Sequence, residues 1–550
     1  MFSKASAPWV TLGAAMIVSV AATLYFGRGT TFSGDEMVWV VTSPGFDLKT
    51  AFQPHAGHLL LVPRVVYVPL LDLFGLAYWP YRVLTVLSVC LTVGLLFRYL
   101  LERVPAAVAL VPCVILLFFG TDHLHMLQGN GFTICFSLSM GLTALLMFER
   151  NDRFGDIAAT VALVTAAATY SVGLPFIAGI GIGIILARQW RRLWVPAIPS
   201  VLYVVWYIWS KSLDYAGPKN NADPAQLLEL PKWVIQAAGA SLYGLSGLDF
   251  DWSRGDTLDL IGLPATLIAF GAVVAVAWCI AKGRGTRTLW MVLTIGLVLW
   301  GLQVLVSGEG ARLPDDARYL YPGAVVCLLI LGEALRNLKW RQPALVAVYV
   351  LGAVGLLTNF VLLERNGDFY REQAAGYTGI AGTVELTAEA QATKGRITGP
   401  PTDLNLLVTE PRAAGLAMAS SPYGHFAATP EEMLERSPAN RRTFDQALFA
   451  TEEVKTSTAP KGRLAGCADT GAGSDGLVVA PIGRTGGVVS STSGIADLRI
   501  ARFADDPFIS LGPLDPGQKV RVTLLPDSAD VPWRVGGAGK QLTVCPTGRK

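Results

Sequence analysis

Charge is what this chain lacks most. Of its 550 residues only 15% are charged and 52% are hydrophobic, whereas soluble domains carry about a quarter charged residues. An ordinary soluble globular protein is excluded. Histidine is scarcer still, with five in the whole chain. Four of them fall in two short stretches, His55 with His58 and His123 with His125. The seven cysteines show neither a Cys-x-x-Cys redox motif nor zinc-ribbon spacing. No Walker-type Gly-rich loop is present. A net charge of +3, with no basic run interleaved with aromatics, gives no basis for nucleic acid as a partner.

What is abundant is apolar sequence, in blocks of about 18–25 residues, long enough to cross a hydrocarbon core of about 30 Å. Spans are expected at about 8–27, 80–100, 106–121, 130–148, 156–170, 172–188, 193–210, 257–281, 288–307, 318–335 and 343–363. The fold class is therefore a mainly α polytopic membrane protein of about 11 transmembrane helices in a lipid bilayer. The stretch 58–76 is also apolar, but Pro63, Arg64, Pro69 and Asp72 interrupt it, each expensive in lipid. Charge placement decides its status. With 58–76 outside the bilayer, one side collects Arg98, Arg103, Arg150, Arg153, Arg188, Arg191, Arg192, Lys282, Arg284, Arg287, Arg336, Lys339 and Arg341. The other collects Asp35, Glu36, Asp122, Asp249, Asp251, Asp256, Glu309, Asp315 and Asp316. That asymmetry is the positive-inside pattern, so 58–76 reads as a helix along the outer surface. Met1 to Phe26 reads as an uncleaved anchor, and an odd number of spans puts the end of the chain outside the cell.

Hydrophobic blocks stop after Leu363. The expected organisation is a membrane domain at 1–364, with a first exoplasmic loop at 28–79, and an extracytoplasmic domain at 365–550 that is β-rich after about 475. Thr429-Pro430-Glu431-Glu432 has the form of a helix start with a capping box. Strands are expected at 477–482, 486–490, 496–503, 507–511, 518–525 and 541–545, separated by turn-formers such as Asp515-Pro516-Gly517. A small β-sandwich follows. Five cysteines lie within apolar spans; Cys467 and Cys545 alone lie in the outer region, and an isolated pair in an oxidising compartment points to a disulfide tying the sandwich edges. Trp533 or Tyr423 would supply a stacking face if this module binds carbohydrate; a structural cap is the other reading.

Chemistry concentrates on the acidic side. Asp35 and Glu36 follow the first span, and His55 and His58 follow them on the same loop. Asp122, His123 and His125, with Gln128, form a second loop. Arg312, Asp315, Asp316, Arg318 and Tyr319 form a third. Ionisable groups at a membrane face are costly unless they meet a substrate, a metal or each other. The plainer alternatives are a solvated loop end for the acidic pair, caps of the surface helix for His55 and His58, a polar loop at 122–128, and interface anchoring for Arg318.

An acidic pair leaving the first helix, together with Arg318-Tyr319 at the start of a late span, resembles the GT-C superfamily of polyprenyl-phosphate-dependent glycosyltransferases. The resemblance covers roughly residues 1–365 as architecture. It implies Asp35 as catalytic base with Glu36 beside it, and Arg318, Tyr319, Arg312 and His58 at the donor phosphate. His55, Asp122, His123, His125 and Gln128 would then bind substrate. A divalent metal held by Asp35 or Glu36 with His58 and His123 is compatible with it, although no ligand spacing requires one. The His55-Ala56-Gly57-His58-Leu59 stretch is also similar to that of a group of actinobacterial membrane proteins.

The expected activity is an inverting transfer of a sugar from a polyprenyl-phosphate donor to a cell-envelope polysaccharide, glycolipid or protein, at a bacterial plasma membrane. Two alternatives stand. A transporter or flippase for lipid-linked glycans usually shows two related halves and mid-membrane charges. A polymerase or ligase would depend on arginines and a histidine in late loops.

Overall fold

The computed structural model describes residues 7–213, 223–248, 262–307, 312–336, 338–392, 418–419, 421–451, 454–459, 466–469, 477–483, 485–492, 494–524, 527, 529–538 and 542–546. Asp249, Asp251, Asp256 and Glu309, expected on the acidic side, lie outside them. The chain forms two compact units, Met1–Phe32 with Thr42–Arg371, and Ser33–Val41 with Glu372–Lys550.

The helices are α1 (Ala7–Phe26), α2 (Asp35–Thr42), α3 (Leu48–Phe52), α4 (Leu61–Phe74), α5 (Trp79–Leu101), α6 (Ala106–Leu117), α7 (His123–Leu127), α8 (Gly131–Glu149) and α9 (Arg153–Thr169). They continue as α10 (Leu174–Leu186), α11 (Trp194–Lys211), α12 (Leu230–Gly244), α13 (Leu263–Ala281), α14 (Arg287–Val304), α15 (Ala317–Ala334) and α16 (Gln342–Ala392). Among the described residues, eight helical stretches are long and apolar enough to cross a membrane: α1, α5, α6 through α7, α8, α13, α14, α15 and the 342–387 part of α16. The remaining expected spans also fold as helices, α9, α10 and α11, but they are shorter or less apolar.

Three departures from the hydropathy pattern have local causes. The run at 106–121 breaks after α6 because the buried Asn359 side chain of α16 accepts from Thr121 N (3.0 Å) and Thr121 Oγ1 (2.9 Å). Gly120 is needed there, since a Cβ would sit 2.1 Å from the Asn359 carbonyl. The unforeseen α12 is apolar on one face only. Its small residues let it pack closely, with Gly239 against Ala265 and Ser241 against Gly323. Finally, α16 runs to Ala392 instead of ending near 363, because no proline stops it.

Arginines tie the first unit together. The last carbonyls of α1 accept from Arg82, at 2.8 Å for Leu24, and from Arg371, at 2.5 Å for Phe26. These are cations at the negative end of a helix. Helix α4 buries Pro63, Arg64, Tyr67 and Leu71 and exposes Val65, Leu73 and Phe74. Its Arg64 donates to the carbonyls of Thr50 and Gln53, so a charge that is costly in lipid organises the preceding loop.

In the second unit, Pro430–Leu434 (α17) carries the capping box read from Thr429 and Glu432, and Pro438–Thr451 (α18) follows. Nine strands are described: β1 (Lys455–Thr458), β2 (Ala468–Asp469), β3 (Leu477–Pro481), β4 (Gly486–Ser491), β5 (Ala496–Ala501), β6 (Ile509–Leu514), β7 (Lys519–Thr523), β8 (Arg534–Ala538) and β9 (Leu542–Pro546). They form antiparallel sheets ordered β1-β7-β4-β9-β2 and β3-β8-β5-β6. Six strands fall where the alternation places them. The missed ones have little to read: β1 is wholly exposed, β2 has two residues, and β8 contains two glycines.

Cys467 and Cys545 form the disulfide. It joins the lead-in to edge strand β2 with the neighbouring β9, rather than joining two sheet edges. Asp445 of α18 accepts from the backbone N–H groups of Arg502, Phe503 and Ala504 at 2.8–3.0 Å. Burial nevertheless holds its carboxyl above the usual range. Trp533 is only 3% exposed, with the Arg502 guanidinium 5.7 Å from its ring centre. It is therefore core, not a stacking face for sugar.

Candidate functional site

The first unit has two chemically distinct ends. One gathers the arginines between spans. Arg103 donates to Glu333, to Glu149 (2.5 Å) and to the Tyr99 carbonyl (2.7 Å). Arg192 holds Asp156 (2.5 Å), Asn151 (2.7 Å) and the Phe148 carbonyl (2.8 Å). The other end gathers the histidines with Arg312, Arg318 and Tyr319.

At the histidine end the loop before α4 folds as a tight hairpin. His55 and His58 exchange backbone hydrogen bonds of 3.0 and 2.8 Å. Ala56 and Gly57 between them have φ of 47° and 79°. This two-residue turn with both φ positive is the type I′ form; Gly57 adopts it freely, whereas Ala56 is strained by about 1 kcal/mol. The loop is pinned by Arg64 and by Trp206 of α11, whose indole donates to Phe52 O at 2.8 Å. His58 is thereby fixed, with Nδ1 2.9 Å from Ser171 Oγ and its ring 4.4 Å from that of Tyr170. His55 is buried within the hairpin.

Tyr170 is within electrostatic range of Arg318, at the first turn of α15. Arg318 pairs through Nε with Asp316 (2.9 Å) and keeps 46% of its side chain exposed. Tyr319 packs edge-on against Trp233 of α12, ring centres 6.4 Å apart, and senses Arg312 electrostatically. A cavity of about 300 Å³ opens beside them, lined by Gln226, Glu229, Lys232, Trp233, Gln236 and Arg312 among others.

Beneath this surface lies a buried polar group. Asp122 caps α7, accepting from His125 N (3.2 Å) and His125 Nδ1 (2.8 Å), and its second oxygen also takes Tyr321 N of α15 at 2.7 Å. His123 Nδ1 lies 2.7 Å from the Tyr370 hydroxyl of α16. Gln128 is 8% exposed, and its carbonyl accepts from Thr85 (3.2 Å). The stretch expected as a polar loop is thus two short buried helical turns. Asp122 holds the turn of α15 that carries Arg318 and Tyr319; it does not face solvent.

Asp35 and Glu36 belong to the second unit. They are not in a loop: both sit in the first turn of α2, where a carboxylate suits the helix N-terminus. Glu36 is fully buried and Asp35 half-buried. Among the described residues, no three His, Cys, Asp or Glu side chains are grouped to hold a metal ion. His58 and His123 engage hydroxyls through Nδ1.

Sequence reasoning missed Tyr170, Ser171, Lys232, Trp233 and Tyr370. Tyr170 and Ser171 mark the break between two apolar runs, which was a readable signal; Lys232 and Trp233 sit in a stretch that hydropathy leaves blank. No protein-family model matches the chain, and no curated protein matches it.

Proposed function

We propose that this protein is a GT-C-like integral membrane glycosyltransferase of the bacterial plasma membrane. It crosses the bilayer eleven times, with the histidine end and residues 365–550 outside the cytoplasm. It transfers a sugar from a polyprenyl-phosphate carrier to a cell-envelope acceptor. The observation that carries this reading is an accessible arginine, Arg318, on the first turn of a helix, paired with Asp316, beside the Tyr319 ring and within electrostatic range of Tyr170 in the fixed His58–Ser171–Tyr170 group.

A departing phosphate needs a fork of donors that does not reorganise during reaction. Arg318 supplies it, oriented by Asp316 and by the Asp122 hold on α15. Asp35 takes the proton from the acceptor hydroxyl as it attacks the anomeric carbon. A single displacement inverts that carbon, so no nucleophilic Ser or Cys is required.

The test is Asp35→Asn in membranes supplied with candidate polyprenyl-phosphate sugars. Loss of transfer by about 10²–10⁴-fold in folded protein is expected; retained transfer would sink the base assignment. Topology is checked by accessibility labelling of Ala77→Cys and Gly285→Cys. Position 77 should label from outside and 285 from inside, and the reverse would overturn the eleven-span map.

A further inference from the structure

The cavity between the start of α12 and the segment before α15 has a lining that matches one class of ligand. It is about 300 Å³, at the small end of ligand sites and suited to one sugar ring with a substituent. Two cations, Lys232 and Arg312, face one carboxylate, Glu229. Lys232 is exposed and enters no ion pair among the described residues. Gln236 brings a paired donor and acceptor of the kind that reads vicinal hydroxyls, while Gln226 is engaged by Asp223 (3.3 Å) and Ser307 (3.5 Å). Trp233 forms an apolar wall, with its indole N–H already directed at Gln303 (3.4 Å).

We infer that this cavity binds an anionic saccharide unit, a sugar ring bearing a carboxylate or phosphate. Binding follows from the lining alone. Its role as the acceptor subsite rests on the transferase reading, because Trp233 in the cavity wall packs against Tyr319, the neighbour of Arg318.

The experiment is calorimetric titration of the full-length protein in phosphatidylcholine nanodiscs with glucuronic acid, glucose 1-phosphate, glucose and inorganic phosphate. The two anionic sugars should bind at least about ten-fold more tightly than glucose or phosphate. Lys232→Gln, at an exposed position, should weaken them by about ten-fold, the scale of one charged hydrogen bond. Adding phosphatidylinositol to the nanodiscs separates the sources: competition with glucuronic acid marks a lipid head group, and its absence a soluble glycan unit. Either result supports the site. No binding, equal binding of phosphate and glucose 1-phosphate, or unchanged affinity in both Lys232→Gln and Arg312→Gln would overturn it. Asp35→Asn should keep this binding while losing transfer, so failure of the transferase reading and failure of this site give different results.

Discussion

Arg103 and Arg318 stand at opposite ends of the same helical unit and live in opposite circumstances. The Arg103 side chain is 2% exposed and closed in by Glu333, Glu149 and the face of Tyr99, 3.4 Å from its guanidinium carbon. Among the described residues Arg318 has one carboxylate partner, and it keeps 46% of its side chain in the open. At the same end His58 and His123 meet the hydroxyls of Ser171 and Tyr370, and His125 meets the buried Asp122. A charge surrounded by counter-charges is committed to holding helices together. A charge left half open at a rigid helix terminus is available to a ligand.

The largest expected effect breaks the comparison at its structural end. Arg103→Ala takes the nearest cation from the buried Glu333, leaving it Arg336 at 3.7 Å, and from the half-buried Glu149; it should cost about 3 kcal/mol, read as a lower thermal midpoint and a smaller folded fraction. Asp122→Ala comes next. It removes the acceptor for His125 and for Tyr321 N and should cost about 1–3 kcal/mol. If Asp122 positions α15, transfer should fall more than the stability loss accounts for, and Asp122→Asn should recover part of it.

By contrast, Arg318→Gln should change stability by no more than about 1 kcal/mol, since its ion pair is exposed. The smallest effect belongs to the rim of the arginine end. Asp152 is held below its ordinary carboxyl range by the Arg150 hydrogen bond first, then by Gly155 N–H at the start of α9. A folded pKa below the unfolded value of 3.8 means that this contribution is present above 3.8 and fades as pH falls through the folded value. An acid titration of the thermal midpoint should show that slope, reduced in Asp152→Asn.

Much of the framework was legible because burial in lipid leaves a strong mark. Long apolar blocks, the Thr429 capping box and the cysteine pair at 467 and 545 all announce themselves. What stayed hidden depends on contacts between distant segments. Nothing local marks Asn359 as the residue that breaks α6, or Tyr370 as the partner of His123. Helix α12 escapes hydropathy because Lys232 and Gln236 dilute its apolar face. The acidic pair was legible as a pair, but its place on a helix with Glu36 buried was not. Arg318 and Tyr319 could be picked out by residue type, whereas the difference between an open and a closed arginine emerges only from three-dimensional packing.

Under the proposed function, the open Arg318 serves the donor phosphate. The direct measurement is transfer of a labelled sugar from a polyprenyl-phosphate donor by reconstituted wild type and Arg318→Gln, with thermal midpoints recorded on the same samples. A loss of about 10²–10³-fold is expected, the scale of removing a preorganised donor to developing charge, at a nearly unchanged midpoint. Undiminished transfer by Arg318→Gln, or a loss matched by unfolding, would contradict it.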